Sequence, residues 1–217
     1  MKGLLAKDFK LVKLQKNFFF VIFAIAIGLT VSNDDAAFLP GYLTFVMSMF
    51  TLSTISYDEF DNGNAFLFTL PISRKSYVVE KYVFSLLLGG GSCILATLSA
   101  IILSVMKGTV SILEILMASL MILPITLIIQ ALMIPFHLKF GREKGRLAII
   151  AAFGLLFIIG FLVVKLAELS GIDLPNIINN LTAVNMGMSV AIAVAFAVII
   201  FLVSMKISIA IMNSKEF

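Results

Sequence analysis

The chain has 217 residues, of which 61% are hydrophobic and 13% charged, with a mean hydropathy of +1.12 and a formal charge of +4. A water-soluble domain runs nearer half apolar and a quarter charged, so this chain has too few polar side chains to cover a water-facing surface. Lipid must serve as solvent for much of it. The modest positive charge needs no nucleic acid to explain it, and a single cysteine, Cys93, excludes an internal disulfide.

Met1–Asn17 is too polar to cross a bilayer. Leu5, Phe9 and Val12 share one helical face flanked by Lys7, Lys10 and Lys13, the pattern of an amphipathic helix lying at the lipid surface with its lysines near anionic headgroups. Leu4, Leu11 and Leu14 fall off that face, where they can pack against protein. The basic head is long for a cleaved leader, so the short apolar run behind it reads as a first span.

A bilayer core of about 30 Å takes roughly 20 apolar helical residues. Six stretches reach or approach that length: Phe18–Ser32, Phe38–Tyr57, Val78–Met106, Ile112–Phe136, Leu147–Val164 and Met186–Met205. With six spans, both termini and the segments around 58–77 and 137–146 share a side. That side holds Lys2, Lys7, Lys10, Lys13, Lys16, Arg74, Lys75, Lys81, Lys139, Arg142, Lys144, Arg146, Lys206 and Lys215. The other holds only Lys107 and Lys165, with Asp34, Asp35, Glu114, Glu168 and Asp173. The positive-inside rule then puts both termini in the cytoplasm.

Between the second and third stretches, Asn62-Gly63 signals a turn, Phe66-Leu67-Phe68 forms an apolar patch, and Pro71 ends what precedes it. Ser73 is placed to cap a helix beginning at Arg74. A short surface helix, a bend and a new helix are expected here, and a second connecting loop over His137–Arg146. The outer segment Ala167–Asn185, broken by Gly171 and Pro175, is amphipathic enough to lie along the opposite surface. No internal repeat divides the chain, which reads as a single domain, 1–217.

Catalytic and metal-binding constellations lack their parts: there is one histidine, one cysteine and no carboxylate pair within a span. No GxxxxGK[ST] loop is present. Gly89-Gly90-Gly91-Ser92 sits inside an apolar helix, where small residues serve close packing. No ionisable residue lies near the centre of a span, which disfavours a proton-coupled transporter. The fourth span carries Pro124, Gln130 and Pro135, either a kinked structural helix or one that bends along a transport pathway.

Tyr57-Asp58-Glu59 closes the second span, and Leu70-Pro71-Ile72-Ser73-Arg74-Lys75-Ser76-Tyr77 leads into Glu80-Lys81-Tyr82. This arrangement resembles the small six-helix ABC-2-type permeases of bacteria, and within them the permeases that export phenol-soluble modulins and related amphipathic peptides. The resemblance implies an all-α integral membrane protein that pairs with a second copy and two ATP-binding subunits, the latter holding ATP and Mg. It further implies a coupling helix between spans two and three, with Asp58, Glu59, Asn62, Phe66, Leu70, Ser73, Arg74 and Tyr77 as the ATPase contact. Burial of the Phe66 patch in the lipid surface is the alternative. Competing functions are a self-protection pump against bacteriocins or antibiotics and a non-transporting immunity or scaffold protein.

Overall fold

In the computed structural model the described residues are 1–33, 38–60, 63–108, 111–169 and 186–215, and among them there is no strand. Seven helices follow in order: α1 (Lys2–Leu14), α2 (Lys16–Asn33), α3 (Phe38–Glu59), α4 (Gly63–Leu67), α5 (Arg74–Lys107), α6 (Ile112–Leu169) and α7 (Met186–Ser214). Four are long and apolar enough to cross a membrane: α3, α5, α6 from Ile112 to Gly141, and α7. A fifth span is formed if α1 and α2, bent by 64°, are taken together. The expected fifth apolar stretch, Leu147–Val164, lies in the second arm of α6, where the backbone is helical. Asp34, Asp35, Asn62 and the outer segment from Ser170 to Asn185 fall outside the described residues.

Two expectations change. The loop expected over His137–Arg146 is absent, because helix continues on both sides of a single break at Gly141 (φ 71°, ψ −172°). Only a residue without Cβ adopts that backbone readily, and a Cβ there would also come within 3.2 Å of Glu59 Oε2. One glycine thus does the work of a loop. The second concerns α1. Its helix is present, but Leu5 and Val12 pack against the Phe50–Phe84–Leu88 cluster. Phe9 meets Phe84 edge to face at 5.3 Å. The face expected to lie on lipid is therefore turned in part to the bundle, with Phe9 still 43% exposed, while Leu4 is buried and Leu14 is exposed.

Ser73 caps α5 as its position suggests, its hydroxyl accepting from the Ser76 N–H at 3.1 Å. At about 1.5 Å per residue the 34-residue α5 is about 50 Å long, so its first turns extend past a bilayer core. Among the described residues the most extensive packing is α3 on α5 and α6 on α7. One core gathers Leu4, Ile55, Tyr77, Tyr82, Ile134, Leu138, Phe201 and Met212, from five helices. A second, around Ile22, Ala26, Leu39, Ala96, Ala100 and Ile115, closes the opposite end, where Lys107 donates to the Val31 carbonyl at 2.7 Å.

Without a hydrophobic drive between helices in lipid, small residues and hydroxyls supply the association. Tyr82 bonds Ser204 and Ser208 of α7 at 2.7 and 2.8 Å, and Ser204 donates to the Ala131 carbonyl of α6. Thr97 donates to Ser119 at 2.8 Å. At Gly89 the helices pack tightly: an added Cβ would lie 2.8 Å from Ser48 Oγ and 3.6 Å from Gln130 Nε2. Gly89→Ala is accordingly expected to cost about 1–3 kcal/mol through overpacking, read as a lower melting temperature in detergent. Gly90→Ala, where nothing lies within 4 Å, serves as the control, and equal melting of the two variants would sink the packing argument.

Candidate functional site

Among the described residues, one end of the bundle collects nearly every charged contact. The α1 helix carries Lys7 and Asp8 there, α3 ends in Asp58 and Glu59, α5 begins with Arg74 and reaches Glu80-Lys81, and α7 delivers Lys215. The centre of this end is Lys81, whose side chain is fully buried. Its ammonium lies 2.5 Å from Asp8 Oδ2, 2.8 Å from Asp58 Oδ2, 3.1 Å from Thr54 Oγ1 and 3.8 Å from Glu80 Oε2. It also sits 5.2 Å from the centre of the Tyr77 ring. Lys7 pairs with Asp58 and lies 3.1 Å from Asp8 Oδ1, and the Tyr77 hydroxyl donates to Asp58 at 3.2 Å.

Three helices are joined by this cluster. A buried ammonium held by two carboxylates and a hydroxyl has most of its lost hydration replaced. Glu80 is fully buried, and neither of its oxygens has a hydrogen-bond partner among the described residues. The carboxylates of Asp8, Asp58 and Glu80 thus stand against the ammoniums of Lys7 and Lys81. A single missing cation leaves the remaining charge with nowhere to go.

The residues expected to meet an ATPase fall into distinct places. Phe66 and Leu70 are outward, 70% and 44% exposed, with Phe60 at 59% beside them in the chain. Leu67 and Phe68 turn the other way and pack on the core, Phe68 meeting Tyr77 edge to face at 5.7 Å. The apolar patch is therefore split by helix geometry: part of it anchors α4, and Phe66 is left as a knob.

Asp58 and Tyr77 face inward as members of the ion cluster. Ser73 is a helix cap. Arg74 donates to the carbonyls of Met212 and Asn213 at 3.2 and 2.7 Å, filling acceptors that the last turn of a helix leaves open. Glu59 pairs with Lys215 at 2.9 Å, and Lys215 also donates to the Leu138 carbonyl at 3.1 Å.

Of the fourth-span trio, Pro124 and Gln130 are buried and Pro135 is half-buried. Gln130 faces Gly89 and lies inside the protomer, and its Oε1 has no partner among the described residues. The hydroxyls of Thr44, Ser48 and Thr51, spaced along the inner face of α3, are buried and likewise without partners among the described residues. The interior between α3, α5 and α6 is thus more polar than the apolar run of these spans suggests.

Sequence reasoning quotes Glu80 and Lys81 within the motif before the third span but not as site residues, and it does not name Asp8. The signal for Asp8 is a lone acid within a lysine-rich segment. The signal for Lys81 is a charge inside an apolar span rather than in a loop. Both become pointed only when the two are seen as potential partners.

A family model described as ABC-2 family transporter protein matches residues 3–213. No curated protein and no solved structure matches the chain. The family match spans all seven helices, the ion cluster and the knob, and the bundle provides the apolar helices that a multi-pass permease needs. The chain therefore belongs to the ABC-2 family of transporter proteins, as a membrane permease subunit that works with an ATP-binding cassette partner.

Proposed function

We propose that the chain is the transmembrane subunit of an ATP-driven exporter in a bacterial cytoplasmic membrane, moving amphipathic peptides such as phenol-soluble modulins or a similarly hydrophobic cargo outward. Six spans are completed by α2 and the second arm of α6, and both termini are cytoplasmic. Two copies pair, two ATP-binding subunits bind beneath them, and ATP and Mg are held by those subunits. The observation that carries this reading is the exposed knob of Phe66, on the short helix α4, and Leu70, just beyond it, at the end of the bundle where both ends of the described chain meet. An apolar knob of this kind gains by entering a protein pocket.

The mechanism follows from the connections. When the ATP-binding subunits close, the knob moves with them and displaces α4. Asp58 lies shortly before α4 in the chain and Tyr77 in the first turn of α5, the next helix, and both belong to the Lys81 cluster, so the displacement reaches α1 through Asp8. Because α1 meets α2 at a 64° bend, a shift of α1 turns the first span. The copies then rearrange at their shared interface, where the cargo passes by alternating access or lateral extrusion. Gln130, with Pro124 and Pro135 on the same helix, acts from inside the protomer as a bending point rather than as lining between copies. Few charges in the spans favour an amphipathic cargo over an ion or sugar.

A self-protection pump uses the same machinery with a different cargo, and an immunity or scaffold protein would use the knob without ATP. The test is affinity purification of the tagged chain in mild detergent. Recovery of an ATP-binding subunit in equal amount, with hydrolysis stimulated by amphipathic peptide, is the expected result. Recovery of the chain alone across several detergents, with an ATP analogue present, would overturn it in favour of the scaffold.

A further inference from the structure

Beside the knob, four segments line an open cavity of about 540 Å³. Glu59 ends α3, Asn64 comes from α4, Lys139, Phe140 and Gly141 form the break in α6, and Lys215 follows α7. Its charged lining is two lysines against one glutamate. Lys215 and Glu59 hold one another at 2.9 Å, while the Lys139 ammonium lies 5.3 Å from the centre of the Phe140 ring. Among the described residues the lining is thus positive on balance. Asn64 is 5% exposed, yet its Oδ1 has no hydrogen-bond partner among the described residues. A buried amide oxygen that has given up water without gaining a donor is destabilising, and an incoming donor removes that loss.

These two features select the occupant. The lysines call for a carboxylate or phosphate, but a free anion of that kind brings no donor for Asn64. A peptide segment brings both, an acidic side chain and a backbone N–H. Asn64 and Phe66 are two residues apart on α4, so a protein seated on the knob spans the cavity as well.

We propose that the cavity receives an acidic segment of the ATP-binding partner, its carboxylate set between Lys139 and Lys215 and a backbone N–H donated to Asn64 Oδ1. This rests on the knob being the docking point. It adds that docking is polar as well as apolar, with the charged part supplied behind the coupling helix. Association is then salt-sensitive, since charge pairing at a rim is screened over about 10 Å in 0.1 M salt.

The experiment measures binding of the purified partner to the full-length chain in detergent, for the native protein, Lys139→Glu and Phe66→Asp, each first shown to be monodisperse. Lys139→Glu is expected to weaken binding about tenfold or more, and to abolish most of the loss that the native pair shows between about 50 mM and about 500 mM salt. Lys139→Ala, a milder change at an exposed position, should give a smaller loss in the same direction. Native-like binding by Lys139→Glu together with loss in Phe66→Asp would overturn the acidic-segment proposal and leave the knob standing. Native-like binding by both variants would overturn the docking reading and this proposal with it. Native-like partner binding by Lys139→Glu, with inorganic phosphate binding to the permease alone lost in that variant, would assign the cavity to a small anion instead, and also overturns the proposal.

Discussion

Lys81→Met is expected to destabilise the protein by about 3–5 kcal/mol, the range for removing one partner from a buried ion pair. The substitution keeps the volume of the side chain while removing its charge. Asp8 and Asp58 then lose their closest cation, and Glu80 loses its neighbour at 3.8 Å. Only Lys7, whose side chain is 33% exposed, remains to face three carboxylates. The cost comes from stranded charge rather than lost packing, and a compensated variant tests that distinction. Asp8→Asn, Asp58→Asn and Lys81→Met combined remove the ammonium together with its two closest carboxylates, leaving Glu80 and Lys7 as one charge of each sign, and should melt closer to the native protein than Lys81→Met alone. Melting in detergent followed by size exclusion gives the comparison. A Lys81→Met protein that melts with the native one would show that Lys81 does not bind α1 to the bundle.

The paired change Phe66→Asp and Leu70→Asp is expected to abolish co-purification of the ATP-binding partner while leaving membrane insertion intact. Both side chains are exposed in the isolated chain, so the substitutions leave no cavity and break no internal bond. On docking, each would bury apolar surface worth about 1.5–3 kcal/mol when complete, and an aspartate would instead carry a charge into that pocket. A combined loss of more than about a hundredfold in affinity follows. If the knob rests on lipid instead, the double variant should bind its partner as before and show weakened membrane association of the α4 segment. Full-yield co-purification would remove Phe66 and Leu70 from the contact.

The two variants separate the parts of the proposed stroke. The knob change should prevent the partner from engaging, and the Lys81 change should let it engage while loosening the route from α4 to α1. Uncoupled hydrolysis in Lys81→Met, at unchanged partner yield, would be the signature of that route.

The all-helical membrane character and four of the spans were legible in sequence because lipid acts on each segment separately: enough apolar residues in a row suffice, whatever the neighbours do. The start of α5 was legible for a similar reason. A serine cap and a proline just before it act within a few residues, and the structure puts the helix start at Arg74. The short helix followed by a bend was equally local.

What tertiary structure alone decided is which polar groups meet. Asp8 and Lys81 are 73 positions apart, and nothing near either residue says that α1 will lie over α3 and α5. The amphipathic pattern of α1 is equally satisfied by a lipid surface and by a protein face. The choice went to the bundle because Asp8 finds Lys81 there and Leu5, Phe9 and Val12 find apolar neighbours. Likewise Arg142, Glu143 and Lys144 suggest a loop by composition, but helix resumes after Gly141 because a single residue with positive φ is enough to redirect it. The candidate coupling residues divided for the same reason. Their chain positions set them near one bend, but burial decided that Asp58 and Tyr77 hold the bend from inside while Phe66 and Leu70 remain outward to meet a partner. Sequence determined which segments enter lipid, since that depends on local composition; only the packed structure determined how their charges are partnered, since pairing requires atoms distant in the chain to come within a few ångströms.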